Sequence, residues 1–332
     1  MPVPTTQRHD VHIEPHDRER ALIKDVQDGL GSRPYTLPPK WFYDSTGSEL
    51  FDQITTLAEY YPTRTERAVL ESCVSDIAEA TGAHTVVELG SGSSEKTRLL
   101  LDALQAHGTL RTYVAQDVSE SALTAAMNHI MVDYPGVDLH SVVSDFSAAN
   151  YRDGLHWLPD YPHRLLVFLG GTIGNLVPAE RAHFFGAMRE LLHDGEHVLL
   201  GAGLIIDETT MVAAYDDARG VTADFNRNVL SVMNAELGAD FDVHEFDHVS
   251  LWDAENQWIE MHLRARKDMT VQVPGAGVVV NLEAGETIRT EVSAKFELSA
   301  LVEELAAHQL HVRLVWQDPD SRFAVLLAEA AQ

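Results

Sequence analysis

Between residues 85 and 205, five short apolar runs alternate with helix-length segments, and the first run empties into Gly90-Ser91-Gly92. The runs fall at 85–89, 111–116, 137–143, 165–169 and 197–205. Continuous apolar strands of this length are buried on both faces, and the segments between them are long enough for crossover helices. A parallel, doubly wound α/β sheet is predicted.

A strand that ends on glycines and opens a helix lets a ligand lie on bare backbone at the helix N-terminus. Three ligand classes use that geometry. A dinucleotide turn requires a further glycine where this chain has Glu95, and a carboxylate there would face a pyrophosphate. A P-loop has Lys96-Thr97 at the right offset, but Glu95 again replaces the glycine that precedes the lysine. A sulfonium ligand carries positive charge and no phosphate, so Glu88 and Glu95 are tolerated. Asp117 ends the second run, where a carboxylate holds a ribose diol. Asp145-Phe146 ends the third, where an acid and a ring suit an adenine. The adenosyl reading of S-adenosylmethionine is favoured.

After about 205 the pattern changes. A helix with Phe225, Val229, Leu230, Met233 and Leu237 along it ends near Gly238. Alternating runs follow at 259–266, 269–273 and 288–293, which predicts antiparallel strands with one wet face. A helix at 298–308 and strands at 311–316 and 323–327 then complete the sheet. Upstream, a helix is expected at 18–28. Another starts at a Thr63/Glu66 capping box and stops at Gly82, with Cys73 on its apolar face. The expected division is a cofactor domain of residues 64–205 and 295–332, and a smaller α+β substrate domain of 10–63 and 206–294.

Charge narrows the partners. Acids outnumber bases 51 to 24, for a net charge of −27 at pH 7. Such a field repels phosphate backbones and anionic lipids, so neither nucleic acid nor membrane is an expected partner. A single cysteine allows no intrachain disulfide. The polar start has no signal-peptide pattern, and no run approaches the ~20 apolar residues of a membrane span. A cytosolic location is expected. His244-Glu245-Phe246-Asp247-His248 matches the zinc-protease pattern literally. That chemistry needs both histidines on one face of a sound helix, and the flanking Gly238 and strand-like sequence from Val249 argue against it. No metal is expected.

Several stretches carry a more specific signal. They are Leu37-Pro38-Pro39-Lys40-Trp41-Phe42-Tyr43-Asp44, Tyr60-Tyr61-Pro62-Thr63-Arg64-Thr65-Glu66, Glu88-Leu89-Gly90-Ser91-Gly92 and Thr172-Ile173-Gly174-Asn175. With them go Tyr215-Asp216-Asp217, Phe225-Asn226-Arg227-Asn228 and Glu291-Val292-Ser293. In these the chain resembles the L-histidine Nα-methyltransferases of ergothioneine biosynthesis, over residues 37–327. The resemblance implies a class I, Rossmann-like methyltransferase fold. It implies a monomer that uses S-adenosylmethionine to trimethylate the α-amino group of L-histidine to hercynine. It implies Gly90, Lys96, Asp117, Asp145, Phe146 and Thr172 as the cofactor set. Asn175 and Tyr215 would hold the substrate carboxylate, with Gly170 beside them. Tyr60, Glu291 and Ser293 would form the imidazole pocket, Met261 its wall, and Tyr43 the catalytic residue at the amine. The alternatives are another small-molecule amine methyltransferase, or a non-catalytic adenosyl- or histidine-binding regulator. Two positions depart from the family: Gly171 stands where serine is expected, and Ala294 where cysteine is. Independently of any family, Glu291 and Ser293 are two apart on a strand-like run and so share a face. A carboxylate beside a hydroxyl can bind both nitrogens of one imidazole.

Overall fold

The structure, a computed structural model, describes residues 6–13, 15–92, 94–145, 158 and 160–331. It divides into two compact units: Met1–Ile13, Arg64–Leu204 and Phe296–Gln332 in one, Glu14–Thr63 and Ile205–Lys295 in the other. Among the described residues, no helix is long and apolar enough to cross a membrane.

The larger unit is built on an eight-stranded sheet. Its strands are β1 (Gln7–Val11), β3 (Thr85–Leu89), β4 (Thr112–Asp117), β5 (Asp138–Val143), β6 (Arg164–Phe168), β7 (His197–Gly203), β13 (Leu310–Gln317) and β14 (Phe323–Ala330). Their spatial order is β1-β5-β4-β3-β6-β7-β14-β13. The first six are parallel; β14 inserts antiparallel between β7 and β13. β3 and β6 are buried along their whole length, as the unbroken apolar runs require. Val69, Leu70, Cys73 and Ile77 of the helix Tyr61–Thr81 enter the core with Leu100, Leu101 and Leu104 of the helix Thr97–His107. The chain runs from β3 outward through β4 to β5, then returns to the other side of β3 for β6. The carboxyl ends of β3 and β6 therefore flank the point where strand order reverses, the crevice in which open α/β sheets bind ligands.

β1 was not legible in the polar N-terminal sequence, and residues 10–13, expected in the smaller domain, belong to the larger unit. The strand is exposed and lies at the sheet edge, so no apolar pattern marks it. Its backbone ladder to β5 holds it, with the Nδ1 of His9 at 2.8 Å from Ser141 Oγ and Asp10 Oδ2 at 2.7 Å from the Nε2 of His140.

The smaller unit holds a four-stranded sheet ordered β2-β12-β9-β8: β2 (Tyr35–Thr36), β12 (Thr287–Ala294), β9 (Trp258–Ala265) and β8 (Phe246–Asp253). A separate hairpin joins β10 (Met269–Val273) to β11 (Val278–Leu282). Phe225, Val229, Leu230 and Met233 of the helix Val221–Leu237 pack in the same core as Ile259, Met261, Leu263 and Ile288 of this sheet.

Strand β12 contains the feature that matters most for this unit. It pairs antiparallel with β9, and the register slips between Arg289 and Glu291: Ile288 faces Leu263 and Arg289 faces His262, but Glu291 faces Met261 and Ser293 faces Ile259. Thr290 is thus the extra residue of a β-bulge. Without the bulge Glu291 and Ser293 would share the face of Arg289. With it they share the face of Ile288, Leu263, Met261 and Ile259.

Candidate functional site

In the larger unit, Gln116 at the end of β4 ties three loops together. It is fully buried; its Oε1 accepts from Gly90 N at 3.3 Å, its amide donates to the carbonyl of Ser144, and its own carbonyl accepts from Ser91 N at 3.0 Å. Gly90 and Gly92 both adopt left-handed backbone, with φ of 64° and 49°, which glycine takes at no steric cost. Asp117 then receives one backbone donor on each oxygen: Gly92 N on Oδ2 at 2.9 Å and Ser119 N on Oδ1 at 2.9 Å. A carboxylate offers about four lone-pair sites, so the half-buried group can still accept from a diol. Its burial raises its pKa above the ordinary value. Among the described residues, Ser91 Oγ is buried without a hydrogen-bond partner, and nothing but the adjoining chain lies within 4 Å of the Cβ position of Gly92. An adenosyl ligand fits this donor set and this space. Asp145 follows β5 by two residues and is half-buried. Phe146 lies outside the described residues.

Lys96 stands just before the helix Thr97–His107, and its ammonium bonds the carboxylate of Glu66. The other oxygen of Glu66 accepts from Gly170 N at 2.7 Å. The capping box expected at Thr63/Glu66 does not form, because the helix already begins at Tyr61 and both residues lie inside it. Glu66 instead is a fully buried carboxylate that links the β3 and β6 loops. Gly170 and Gly171 are both left-handed, φ 83° and 67°, so glycine at the departure point 171 matches the local backbone. Thr172 and Asn175 bound the 3-10 turn that follows, and Thr172 Oγ1 donates to Leu169 O at 3.0 Å.

Glu88 is buried under the glycine turn and accepts from Thr97 Oγ1 and the Tyr113 hydroxyl, which also lies 2.8 Å from Ser94 Oγ. Burial pushes its carboxyl up from an ordinary 4.5 to about 7, against the pull of those two donors. A folded pKa above the unfolded one means stability that is present below about pH 4.5 and is lost as pH rises through about 7. Glu88→Gln, neutral at every pH, is expected to gain on the parent protein as pH rises from 5 to 8, by at most about 3 kcal/mol. Parallel curves of thermal midpoint against pH would show that Glu88 does not titrate in this range.

In the smaller unit, Tyr43, Phe51, Tyr60 and Tyr215 form a chain of edge-to-face rings. Centroids lie 5.6 Å apart for Tyr43–Phe51, 6.3 Å for Phe51–Tyr60 and 6.1 Å for Tyr60–Tyr215. Tyr43 is 47% exposed; its other edge meets Phe225 at 5.5 Å. The Tyr215 hydroxyl lies 2.7 Å from Ser293 Oγ, and burial beside the Glu291 carboxylate raises its pKa. Expected site residues Tyr43, Tyr60, Tyr215, Met261, Glu291 and Ser293 are thus linked within one unit. Gly170, Asn175 and Thr172 belong to the other.

The helix Val221–Leu237 positions this cluster through three residues, Phe225, Asn226 and Asn228, whose roles sequence reading did not assign. Phe225 packs on the Tyr43 ring. Asn226, fully buried, accepts from Thr290 Oγ1 at 2.6 Å and so fastens the bulge beneath Glu291. Asn228 donates to Phe42 O at 3.3 Å and Asp44 Oδ1 at 2.8 Å, the residues on either side of Tyr43. The zinc pattern dissolves in the same network. His244 sits in a 3-10 turn and His248 on β8, so no helix presents them together. His248 Nδ1 accepts from Asn226 Nδ2 at 2.8 Å, and its Nε2 donates to the Tyr215 carbonyl at 2.8 Å. Burial lowers its pKa and keeps it neutral.

Sequence comparison places this geometry among known proteins. Residues 22–330 match the family described as histidine-specific methyltransferase, SAM-dependent. A histidine N-alpha-methyltransferase of Mycolicibacterium smegmatis is 48% identical over 308 residues, spanning 93% of this chain and 94% of that protein. One from Mycobacterium tuberculosis is 49% identical over the same shares. Ergothioneine biosynthesis protein 1 of Schizosaccharomyces pombe is 29% identical over 243 residues, 71% of this chain and 31% of that protein.

Proposed function

This chain belongs to the histidine-specific, S-adenosylmethionine-dependent methyltransferase family, and from that membership we propose that it methylates the α-amino group of L-histidine through to hercynine, a step of ergothioneine biosynthesis. The observation that carries the substrate reading is the bulge in β12, which sets Glu291 and Ser293 side by side opposite Met261 and Ile259. A carboxylate and a hydroxyl on one buried face suit the two nitrogens of an imidazole.

S-adenosylmethionine, when bound, supplies an electrophilic methyl group. Asp117 would hold its ribose and Asp145 its adenine, with Gly90 and Gly92 giving it bare backbone, Phe146 a stacking ring, and Lys96 and Thr172 contacts at its amino-acid end. The protein's remaining task is positioning and drying. An α-ammonium has no lone pair, and burial favours its loss of a proton because desolvation penalises the charged form. Tyr43, held on both flanks by Asn228, would orient the amine. Tyr60 and Tyr215 offer faces that tolerate the quaternary ammonium of the product. Tyr215 would hold the carboxylate.

The test is a survey of the twenty amino acids with labelled S-adenosylmethionine. Histidine alone is expected to take label, in up to three methyl groups. Equal labelling of tryptophan or tyrosine would sink the assignment of Glu291 and Ser293 to an imidazole.

A further inference from the structure

Lys295 carried no signal in the sequence, yet it is buried and its ammonium lies inside the substrate cluster. Nζ donates to the Tyr215 hydroxyl at 2.8 Å and to Ser293 Oγ at 2.8 Å. Those two oxygens are themselves 2.7 Å apart. Three buried polar groups thus form a closed triangle, and counting protons decides what it can do.

An ammonium only donates. Each hydroxyl oxygen therefore accepts from Lys295, and one hydroxyl must donate to the other across the 2.7 Å edge. Two hydroxyl protons are available and the triangle uses one, so the second is directed outward. A neutral group at this position would remove that constraint. A neutral amine could accept from one hydroxyl and close a ring with no hydroxyl proton left over.

We propose that Lys295 is a positioning residue of the substrate pocket, fixing Ser293 as donor to Tyr215 and thereby aiming the Tyr215 hydroxyl proton at the substrate carboxylate. In this arrangement Ser293 retains a lone pair for an imidazole N–H, so one lysine sets the hydrogen-bond direction of both ends of the amino acid. Its charge also offsets that of Glu291, which would otherwise repel a substrate carboxylate. Burial lowers the lysine's pKa, while Tyr61 and Glu291 act to raise it. The titratable groups facing it are Tyr61 and Tyr215 from two helices and Glu291 on the strand that ends just before it.

The inference rests on the histidine reading above, and the experiment separates the two. The measurement is kcat/KM for histidine and for histidinamide, which lacks the carboxylate, with S-adenosylmethionine affinity alongside. The parent protein is expected to prefer histidine. Lys295→Met is expected to lower the histidine-to-histidinamide ratio by about tenfold or more, mostly through KM for histidine. Lys295→Arg, which keeps the charge, is expected to retain the ratio within about threefold. Tyr215→Phe, a conservative change, is expected to reproduce the loss, and an unchanged ratio there counts against the proposal even if Lys295→Met does not fold. A lysine with only a structural role would depress both substrates together. An unchanged ratio in folded Lys295→Met, or in Tyr215→Phe, overturns the proposal. Failure of the parent protein to methylate histidine overturns the functional reading and this proposal with it.

Discussion

Replacing Glu291 with alanine is expected to lower kcat/KM for histidine by about one to two decades while S-adenosylmethionine affinity stays within about twofold. The loss corresponds to a charge-assisted hydrogen bond of roughly 1.5–3 kcal/mol. Glu291 lies on β12 in the smaller unit, opposite Met261, whereas the glycine turn and Asp117 belong to the larger one. Selectivity should change in a particular direction. A carboxylate left without a donor is costly, and that cost is what rejects substrates lacking a ring N–H at the right place. Removing it should raise tryptophan relative to histidine. Ser293→Ala should act the same way but more weakly, because a neutral hydroxyl contributes less. Cofactor binding lost with the histidine-to-tryptophan ratio intact would put Glu291 outside the imidazole pocket.

Asp117→Ala is expected to weaken S-adenosylmethionine binding by a similar factor, about one to two decades, with little change in the apparent affinity for histidine. The aspartate also caps Gly92 N and Ser119 N, so alanine removes two backbone bonds along with the acceptor for a ribose. Asp117→Asn separates these effects. It keeps one oxygen for the backbone and loses the charge, so it should fall between alanine and the parent. Calorimetric titration of the cofactor into each variant checks the order. Unchanged affinity in the alanine variant would mean that the diol is held elsewhere along the carboxyl edge.

The parallel sheet was legible because its signal is local. Unbroken apolar runs of strand length, separated by helical segments, have few alternatives once both faces must be buried. The turn at Gly90-Ser91-Gly92, with Asp117 and Asp145 at the ends of the next two strands, was readable for the same reason. Asp117 ends its strand and Asp145 follows its own by two residues, and parallel neighbours bring strand ends to one edge. β1 was not readable, since an exposed edge strand needs no apolar periodicity. Glu66 was misread because capping-box spacing is a local pattern, and it said nothing of a partner at Gly170.

The sequence by itself determined the fold class, the sheet edge at which the glycine turn and Asp117 lie, and the family, because these rest on periodicity, strand ends and motifs that survive without knowledge of contacts. It also determined that Glu291 and Ser293 share a face. Tertiary structure decided which face. The strand alternation groups them with Arg289, but the extra residue at Thr290, fastened by Asn226 from a distant helix, turns them toward Met261. A bulge is a property of two paired strands and of what packs beneath them, so no count along one strand reveals it. Lys295 is the same lesson in electrostatics. A lysine beyond a strand end reads as solvated, and only the approach of Tyr215 and Ser293 supplies the partners that make its burial tolerable.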